Sequence, residues 1–548
     1  MTAQSNDLSS PNRTRTPAWC AAAVFALAFV WMLMSGMFLD DHFDRISRGW
    51  QIWVYGESPF IDFRDPGYYL TLYASAAVQA LSGGSLLGEA VLNSAAIALA
   101  VALTFLFVVE ASRSPAVGLL AAALALGVPP RYYDYDKVLF YALGLACCWR
   151  YVDRRPIGLV VTAGLLTTVA GLFRYDNGLF LAVAFLATLI ACHARDWRTL
   201  IGRSAIYGLA ALLAVMPFLI GWHRTIGLPE VWRQVSAYAA REGRRSQLFQ
   251  VPTILREADP FLAWIYGLSI LLIPIVLWSL TRADRPKDEA LAQPVPKMLA
   301  TLVVSGLVAV FVLRDPIDAR IGAAIPTATV LGGYLVGRWG PRRIAAALPL
   351  RSVALGLVVL AVIVVGVRAA RTLEAPSATR IGRRVIERVI GRIQARTAAP
   401  ADLAALPDRR RYEGMVGYLR ACTPPDSRVL TTWFAPHVHY FAQRGFAGGM
   451  PVTFGGHWNS AADQARTIEQ LRSQTVPLVL VESESLTGFN AEYGRVADYL
   501  EQNYRLAGTS SFGAPEAGPE AYRVMIRSSV TPAYTESRWN LPCLVPRR

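Results

Sequence analysis

Charge is scarce in this chain of 548 residues: only 17% of the residues are charged, whereas 54% are hydrophobic. A soluble protein of this length would need several cores and would rarely reach a mean hydropathy of +0.34. The few charges come in short groups between long neutral stretches. This pattern argues against a soluble protein and is typical of a chain that crosses a membrane many times.

Cysteine is also scarce, and basic residues outnumber acidic ones. The six cysteines have no spacing typical of a zinc site, but Cys422 and Cys543 could pair if the polar C-terminal part is exported. The net charge of +15 comes mainly from arginines beside apolar stretches. Such arginines indicate contacts with anionic lipids rather than with nucleic acid. The first apolar run, 16–39, lacks a signal-peptide cleavage site, and no repeat of fixed period is visible.

Neutral stretches between the charges predict eleven membrane-spanning helices. They cover residues 16–39, 90–109, 114–130, 138–149, 156–173, 177–194, 204–223, 260–281, 298–313, 321–337 and 352–367. A further uncharged stretch, 66–88, is predicted to lie along the outer leaflet, because counting it as a span would reverse the cytoplasmic excess of Lys and Arg. The N-terminus is therefore predicted inside and the C-terminal part outside.

The predicted fold class is a polytopic α-helical membrane protein with a C-terminal extracytoplasmic α/β domain. The predicted parts are a cytoplasmic N-terminus (1–16), a transmembrane domain (17–370) with outer loops 40–88 and 224–259, a basic connector helix (371–400) and the α/β domain (401–548). Arginines at every fourth position from 380 to 396 are typical of a helix on a membrane surface, with a solvated connector as the alternative.

The pattern of the last domain predicts its main elements. These are strands at 428–432, 477–481 and 522–526 and helices at 412–421 and 493–504. His437 and His439 flank one residue, so on a strand both would point to one face.

Two acidic clusters lie just outside the predicted hydrocarbon, on the same side. Asp40 and Asp41 follow the first span, and Asp134 and Asp136 precede another. Carboxylates are costly near a bilayer, so they usually serve chemistry or ion handling. The alternative is that they only cap helices at the interface.

The first outer loop resembles the GT-C superfamily of membrane glycosyltransferases, which includes glycosyltransferase family 39 and the aminoarabinose transferases. The matching residues are Asp41, Gly56, Pro59, Asp62, Pro66, Tyr68 and Tyr69, with Asp136 as a second acid before a span. The sequence departs from the family pattern at three positions: Asp65 replaces the first of two prolines, Arg64 replaces a lysine, and His42 replaces a second acid.

The resemblance implies an inverting glycosyltransferase at the periplasmic face of a bacterial inner membrane. It would move a sugar from a polyprenyl-phosphate donor to an acceptor hydroxyl. Asp41 would be the base, and Asp136 would orient the acceptor or share a divalent cation with Asp41. Asp40 and Asp134 are the alternates. Apart from that cation no cofactor is expected. The expected partners are the lipid-linked sugar, membrane lipids and a glycan, lipid or protein acceptor, but no nucleic acid.

Transfer from a lipid phosphate also needs cations to hold the phosphate that leaves. The candidates on the outer side are Arg64, Arg174, Arg320 and Lys137. Loop 224–259 would contact the acceptor or the lipid through Trp232, Arg241, Arg244 and Arg245. For any single arginine, a salt bridge or a headgroup contact explains its position equally well.

Two other functions are consistent with the span pattern. A transporter or flippase of lipid-linked sugars usually shows repeats and ionisable groups at mid-membrane depth, whereas the charges here lie at the outer rim. A polymerase or ligase of lipid-linked glycans would place its key residues in a long late outer loop, such as 224–259.

Overall fold

The computed structural model describes most of the chain. It covers residues 18–245, 260–282, 294–313, 318–339 and 390–546, apart from positions 37, 39, 401, 407, 454, 515–517 and 519. The predicted span at 352–367 and the first part of the connector helix lie outside the described residues.

The membrane part is a bundle of long apolar helices. They are α1 (Ala18–Ser35), α4 (Leu87–Ser112), α5 (Pro115–Gly127), α6 (Tyr135–Arg154), α7 (Ile157–Phe173), α8 (Tyr175–His193), α9 (Trp197–Thr225), α11 (Pro260–Thr281), α12 (Pro294–Leu313) and α14 (Ile325–Trp339). Each coincides with a predicted span. Among the described residues, six helices are long and apolar enough to cross a bilayer. The predicted class, a polytopic helical membrane protein, is confirmed.

Two further helices, α2 (Asp40–Tyr55) and α3 (Tyr69–Leu81), form the first outer loop. Gly56 ends α2 with a φ of +67°, a conformation that costs glycine little. With 13 residues, α3 is about 20 Å long.

The ends of the helices follow from local sequence. Ser114 caps α5 by accepting a hydrogen bond from the backbone N–H of Val117, and Pro115 occupies the first turn. Asp196 caps α9 in the same way through Thr199. A short 3₁₀ turn, Tyr132–Asp134, leads directly into α6. This turn brings the second acidic cluster to the end of the bundle.

Two helices lie in the later loops. They are α10 (Leu228–Arg245), which follows α9, and the four-residue α13 (Asp318–Ile321), which precedes α14. The described part of the connector helix covers residues 390–397, here α15. In it, Arg392 Nη1 donates to the carbonyl of Met34 at 2.6 Å. The connector is therefore held against the end of the first span.

The C-terminal part folds as the predicted α/β domain. Its elements are α16 (Arg409–Cys422), β1 (Arg428–Thr431), α17 (Pro436–Ala442), β2 (Gly445–Phe446), α18 (Ala461–Ser473), β3 (Leu478–Glu482), α19 (Leu486–Glu492), α20 (Gly494–Asn503), β4 (Tyr504–Ser510), β5 (Tyr522–Arg527), β6 (Tyr534–Glu536) and β7 (Leu541–Cys543). The main sheet has the order β2-β1-β3-β5-β4, and β6 pairs with β7. Strand β1 is parallel to β2 and β3, whereas β5 is antiparallel to β3 and β4.

The structure corrects one expectation and confirms another. His437 and His439 lie on helix α17 rather than on a strand, because Pro436 starts a helix at its first turn. Cys422 forms a disulfide with Cys543, which ties the end of the chain to α16.

The α/β domain packs directly on the first outer loop. The ring centroids of Phe43 on α2 and Phe441 on α17 are 5.3 Å apart, and the backbone N–H of Gly445 donates to the hydroxyl of Tyr55 at 2.9 Å. The domain therefore lies on the same side of the bundle as both acidic clusters.

Candidate active site

Asp41 lies at the accessible edge of the site. It belongs to the first turn of α2, and its Oδ2 accepts hydrogen bonds from Arg131 Nη1 at 2.9 Å and from the hydroxyl of Tyr133 at 2.8 Å. Its side chain is 48% exposed. The carboxylate is thus held in place by two partners and is still open to a substrate.

A buried cation cluster lies deeper, at the ends of α6 and α8. We use this name for Arg45, Lys137 and Arg174 around the carboxylate of Asp134. Asp134 Oδ1 is 2.9 Å from Lys137 Nζ, 3.6 Å from Arg174 Nη1 and 3.9 Å from Arg45 Nη2. Three cations therefore converge on one oxygen atom.

The protonation state of Asp134 is set by the neighbouring charges and not by its exposure to solvent. Burial would raise the pKa of this carboxyl, but the charges of Lys137, Arg174 and Arg45 outweigh burial and hold the pKa well below its usual value. Asp134 is 3% exposed. The cation cluster therefore keeps an ionised carboxylate at its centre.

Asp136 completes the buried side of the site. Its Oδ2 accepts a hydrogen bond from Asn177 Nδ2 at 3.1 Å, and its Oδ1 is 3.5 Å from Arg45 Nη1. Oδ1 has no hydrogen-bond partner among the described residues. An acceptor of this kind, with no donor, is suited to a substrate hydroxyl.

Asp41 and Asp136 lie on the same side of the bundle. Tyr133 connects them, because its hydroxyl donates to Asp41 and its carbonyl accepts from Arg45 at 2.5 Å. Arg45 in turn pairs with Asp136. Asp41 is thus at the exposed end and Asp136 at the buried end of one connected network.

Four residues of this network were not predicted from the sequence. They are Arg45, Arg131, Tyr133 and Asn177. Arg45 follows Asp41 by four residues, a spacing that places both on one face of α2 and could have identified it. The other three carry no local signal.

Two predicted site residues face the α/β domain instead. Arg64 is fully buried. Its guanidinium donates to the carbonyls of Gly448 at 3.0 Å and Asp463 at 2.5 Å. Asp40 Oδ1 is 3.4 Å from His437 Nδ1. Neither joins the cation cluster, so the role of Arg64 as a phosphate ligand finds no support in its contacts.

The remaining predicted residues are spread along the later loops. Trp232 on α10 is 73% exposed, and Arg241 pairs with Glu492 at 3.7 Å. Arg244 and Arg245 end α10, and their side chains lie outside the described part of the structure. Arg320 belongs to α13. Contact of these residues with an acceptor or a lipid stays a prediction.

A cation shared by Asp41 and Asp136 does not fit the contacts of these two residues, because each has its own protein partners. Within the described part of the chain, no group of three His, Cys, Asp or Glu residues could hold a metal ion.

Fold and site together define a polytopic helical membrane protein, with its polar groups at one end of the bundle. No protein family matches the sequence, and no curated protein sequence matches it. Among solved structures, the chain is similar to ArnT from Cupriavidus metallidurans bound to undecaprenyl phosphate, with a TM-score of 0.53 and 14% identity over 94% of this chain and 99% of that chain.

ArnT from the same organism in the apo state has a TM-score of 0.49 and 15% identity, over 93% of this chain and 97% of that chain. The likeness to the lipid-bound structure extends over nearly the whole length of both chains. It confirms the predicted GT-C resemblance as a statement about fold.

Proposed function

We propose that this protein transfers a sugar from a polyprenyl phosphate to an acceptor hydroxyl. The observation that carries the proposal is the cation cluster, in which Arg45, Lys137 and Arg174 surround one buried oxygen at the end of a membrane bundle. Such an arrangement suits a phosphate at the bilayer surface. The structurally similar ArnT was solved with undecaprenyl phosphate bound.

The proposed reaction gives each residue a separate task. The acceptor oxygen attacks the anomeric carbon, while the bond from that carbon to the phosphate oxygen breaks and the lipid phosphate leaves with the electron pair. Asp41 takes the proton of the acceptor hydroxyl. The cation cluster stabilises the charge that develops on the leaving phosphate. A single displacement of this kind inverts the anomeric configuration.

Asp134 and Asp136 support the reaction in this proposal without taking the proton. Asp134 holds the three cations together when no donor is bound. Asp136 Oδ1, which lies near Arg45 but accepts no hydrogen bond from a described residue, accepts one from the acceptor and orients it. Asp41 is the better base, because its carboxylate is partly exposed and Asp136 is fully buried.

The disulfide supports a periplasmic site. Disulfides persist in oxidising compartments and are rare in the cytosol. The α/β domain that contains Cys422–Cys543 packs on α2, so the acidic clusters lie in the same compartment as this domain. We therefore propose the periplasmic face of a bacterial inner membrane.

The purified full-length chain, incubated with undecaprenyl-phosphate-linked sugars, is expected to release undecaprenyl phosphate when an acceptor is present. Comparison of glycans from cells with and without the gene would identify the acceptor. Failure to bind undecaprenyl phosphate or any of its sugar-linked forms would contradict the proposal.

A further inference from the structure

A second group of side chains borders the cation cluster at Tyr68. Its members are Arg48, Asp65, Tyr68, Tyr238 and Trp458, here called the Asp65 site. Tyr68 donates its backbone N–H to Asp65 Oδ1 at 2.8 Å. Its ring centroid is 6.3 Å from that of Tyr238, and Tyr238 lies 5.7 Å from Trp458. The guanidinium of Arg48 lies 5.8 Å from the Trp458 ring.

Two buried polar atoms of the Asp65 site have no hydrogen-bond partner among the described residues: Asp65 Oδ2 and Trp458 Nε1. Asp65 is fully buried and Trp458 is 6% exposed. Buried polar groups are nearly always paired, so each such atom calls for an explanation. Burial also raises the pKa of Asp65 to about 6, although its Oδ1 accepts hydrogen bonds from the backbone N–H groups of Gly67 and Tyr68.

The backbone gives independent support. Trp458 has a φ of +48°, a left-handed conformation that is rare for a bulky side chain and is often kept at functional sites. Its neighbour His457 is fixed from two directions: Nε2 is 3.0 Å from Glu242 Oε1, and the carbonyl accepts from Tyr493 at 2.8 Å. The fold therefore holds the backbone of this segment in place at a conformational cost.

The chemistry of the Asp65 site suits a carbohydrate. It combines an acceptor, Asp65 Oδ2, with the donor Trp458 Nε1 and with aromatic rings, the mixture that sugar hydroxyls and C–H faces need. Asp44, whose Oδ1 is 3.0 Å from Arg48 Nε, adds a second carboxylate. Asp44, Asp65 and Arg48 together carry one net negative charge, which disfavours a phosphate. An apolar lipid tail would leave Asp65 Oδ2 and Trp458 Nε1 unpaired.

Position relates this site to the cation cluster. Arg45 and Arg174 lie over the Tyr68 ring at 5.0 and 5.2 Å from its centroid. A sugar attached to a phosphate held by these arginines would reach the Asp65 site. We propose that the Asp65 site binds the sugar of the lipid-linked donor and selects an uncharged sugar over an acidic one, an inference that rests on the proposed function.

The test compares three probes on the full-length chain in detergent: undecaprenyl phosphate, the same lipid phosphate carrying glucose, and that lipid phosphate carrying glucuronate. The wild type is expected to bind the glucose form about tenfold or more tightly than the bare lipid phosphate, because two buried atoms gain partners. The glucuronate form should bind more weakly than the glucose form, because the net negative charge of Asp44, Asp65 and Arg48 together repels its carboxylate.

In Asp65→Asn and in Trp458→Phe, the affinity for the glucose form is expected to fall to within about twofold of the affinity for the bare lipid phosphate. The affinity for the bare lipid phosphate should stay unchanged. The matched control is Asp62→Asn, in the same loop, whose carboxylate accepts from the backbone N–H of Ser58 at 2.7 Å. It should keep the preference for glucose.

Two results would overturn the inference without touching the proposed function. One is a wild type that binds bare and glucose-bearing lipid phosphate equally well. The other is retention of the glucose preference in both Asp65→Asn and Trp458→Phe, which would mean that water satisfies the two atoms. A wild type that binds none of the three lipids would instead contradict the proposed function, and this inference with it.

Discussion

Arg174 offers the strongest test of the cation cluster. Its Nε donates to Asp176 Oδ1 at 2.7 Å, and its Nη1 lies 3.6 Å from Asp134. The change Arg174→Gln leaves buried carboxylates without this cation. Breaking a buried ion pair from one side costs about 3–5 kcal/mol, so we expect a clear fall in the melting temperature.

A second substitution separates stability from ligand binding. Adding Asp176→Asn to Arg174→Gln removes the surplus negative charge, and replacing both members of a buried pair is often nearly neutral. The double variant should therefore recover most of the lost stability. Its affinity for undecaprenyl phosphate should stay low, because a hydrogen bond to a charged group is worth about 1.5–3 kcal/mol, or roughly a 10- to 150-fold change in Kd.

The assay is thermal unfolding together with lipid-phosphate binding, on the full chain in detergent. Arg198→Gln is the control, since Arg198 is exposed at the start of α9 and should change neither quantity. A double variant that binds undecaprenyl phosphate as tightly as the wild type would refute the assignment of Arg174 as a phosphate ligand.

Three further predictions concern other parts of the site and fold. Tyr133→Phe removes a hydrogen bond of 2.8 Å to Asp41; at about 1 kcal/mol, steady-state kinetics should show kcat several-fold lower and KM unchanged. Cys422→Ala removes a disulfide with a sequence separation of 121, which is worth about 4–5 kcal/mol. This variant should have a lower melting temperature than the wild type, and reductant should no longer change that temperature. In the control Cys147→Ala, reductant should still lower the melting temperature. Burial raises the pKa of Asp65 from 3.8 to about 6, so above pH 6 the charged carboxylate lowers the free energy of unfolding by about 3 kcal/mol. Asp65→Asn should therefore unfold at a higher temperature than the wild type at pH 7.5. Near pH 4 the two proteins should unfold at the same temperature.

The sequence was most informative where spacing is local. The sequence predicted the acidic residue at the start of α2, the glycine at its end and the Tyr-rich start of α3. These could be predicted because the limits of a helix depend on a few neighbouring residues. Cys422 and Cys543 were named as a pair because both lie in the polar tail. The helical spans were readable from hydropathy alone, since the bilayer fixes their length.

The site was less predictable because its residues meet through tertiary packing. Arg64 looked like a phosphate ligand beside a proline, yet the α/β domain, nearly 400 residues further along the chain, surrounds its guanidinium. Arg45 was not predicted as a site residue, and in the structure it pairs with Asp134 and Asp136. His437 and His439 lie on a helix and not on the strand considered for them, because a short apolar run does not distinguish a strand from a helix.

The most direct test of the proposed mechanism is sugar transfer by Asp41→Asn, with donor binding measured on the same protein. If Asp41 accepts the proton, transfer should fall by about 10²- to 10⁴-fold while the Kd for undecaprenyl phosphate carrying the sugar stays within about twofold. Asp498→Asn, at an exposed position of the α/β domain, should behave as the wild type. Transfer at the wild-type rate by the Asp41→Asn protein would contradict the mechanism.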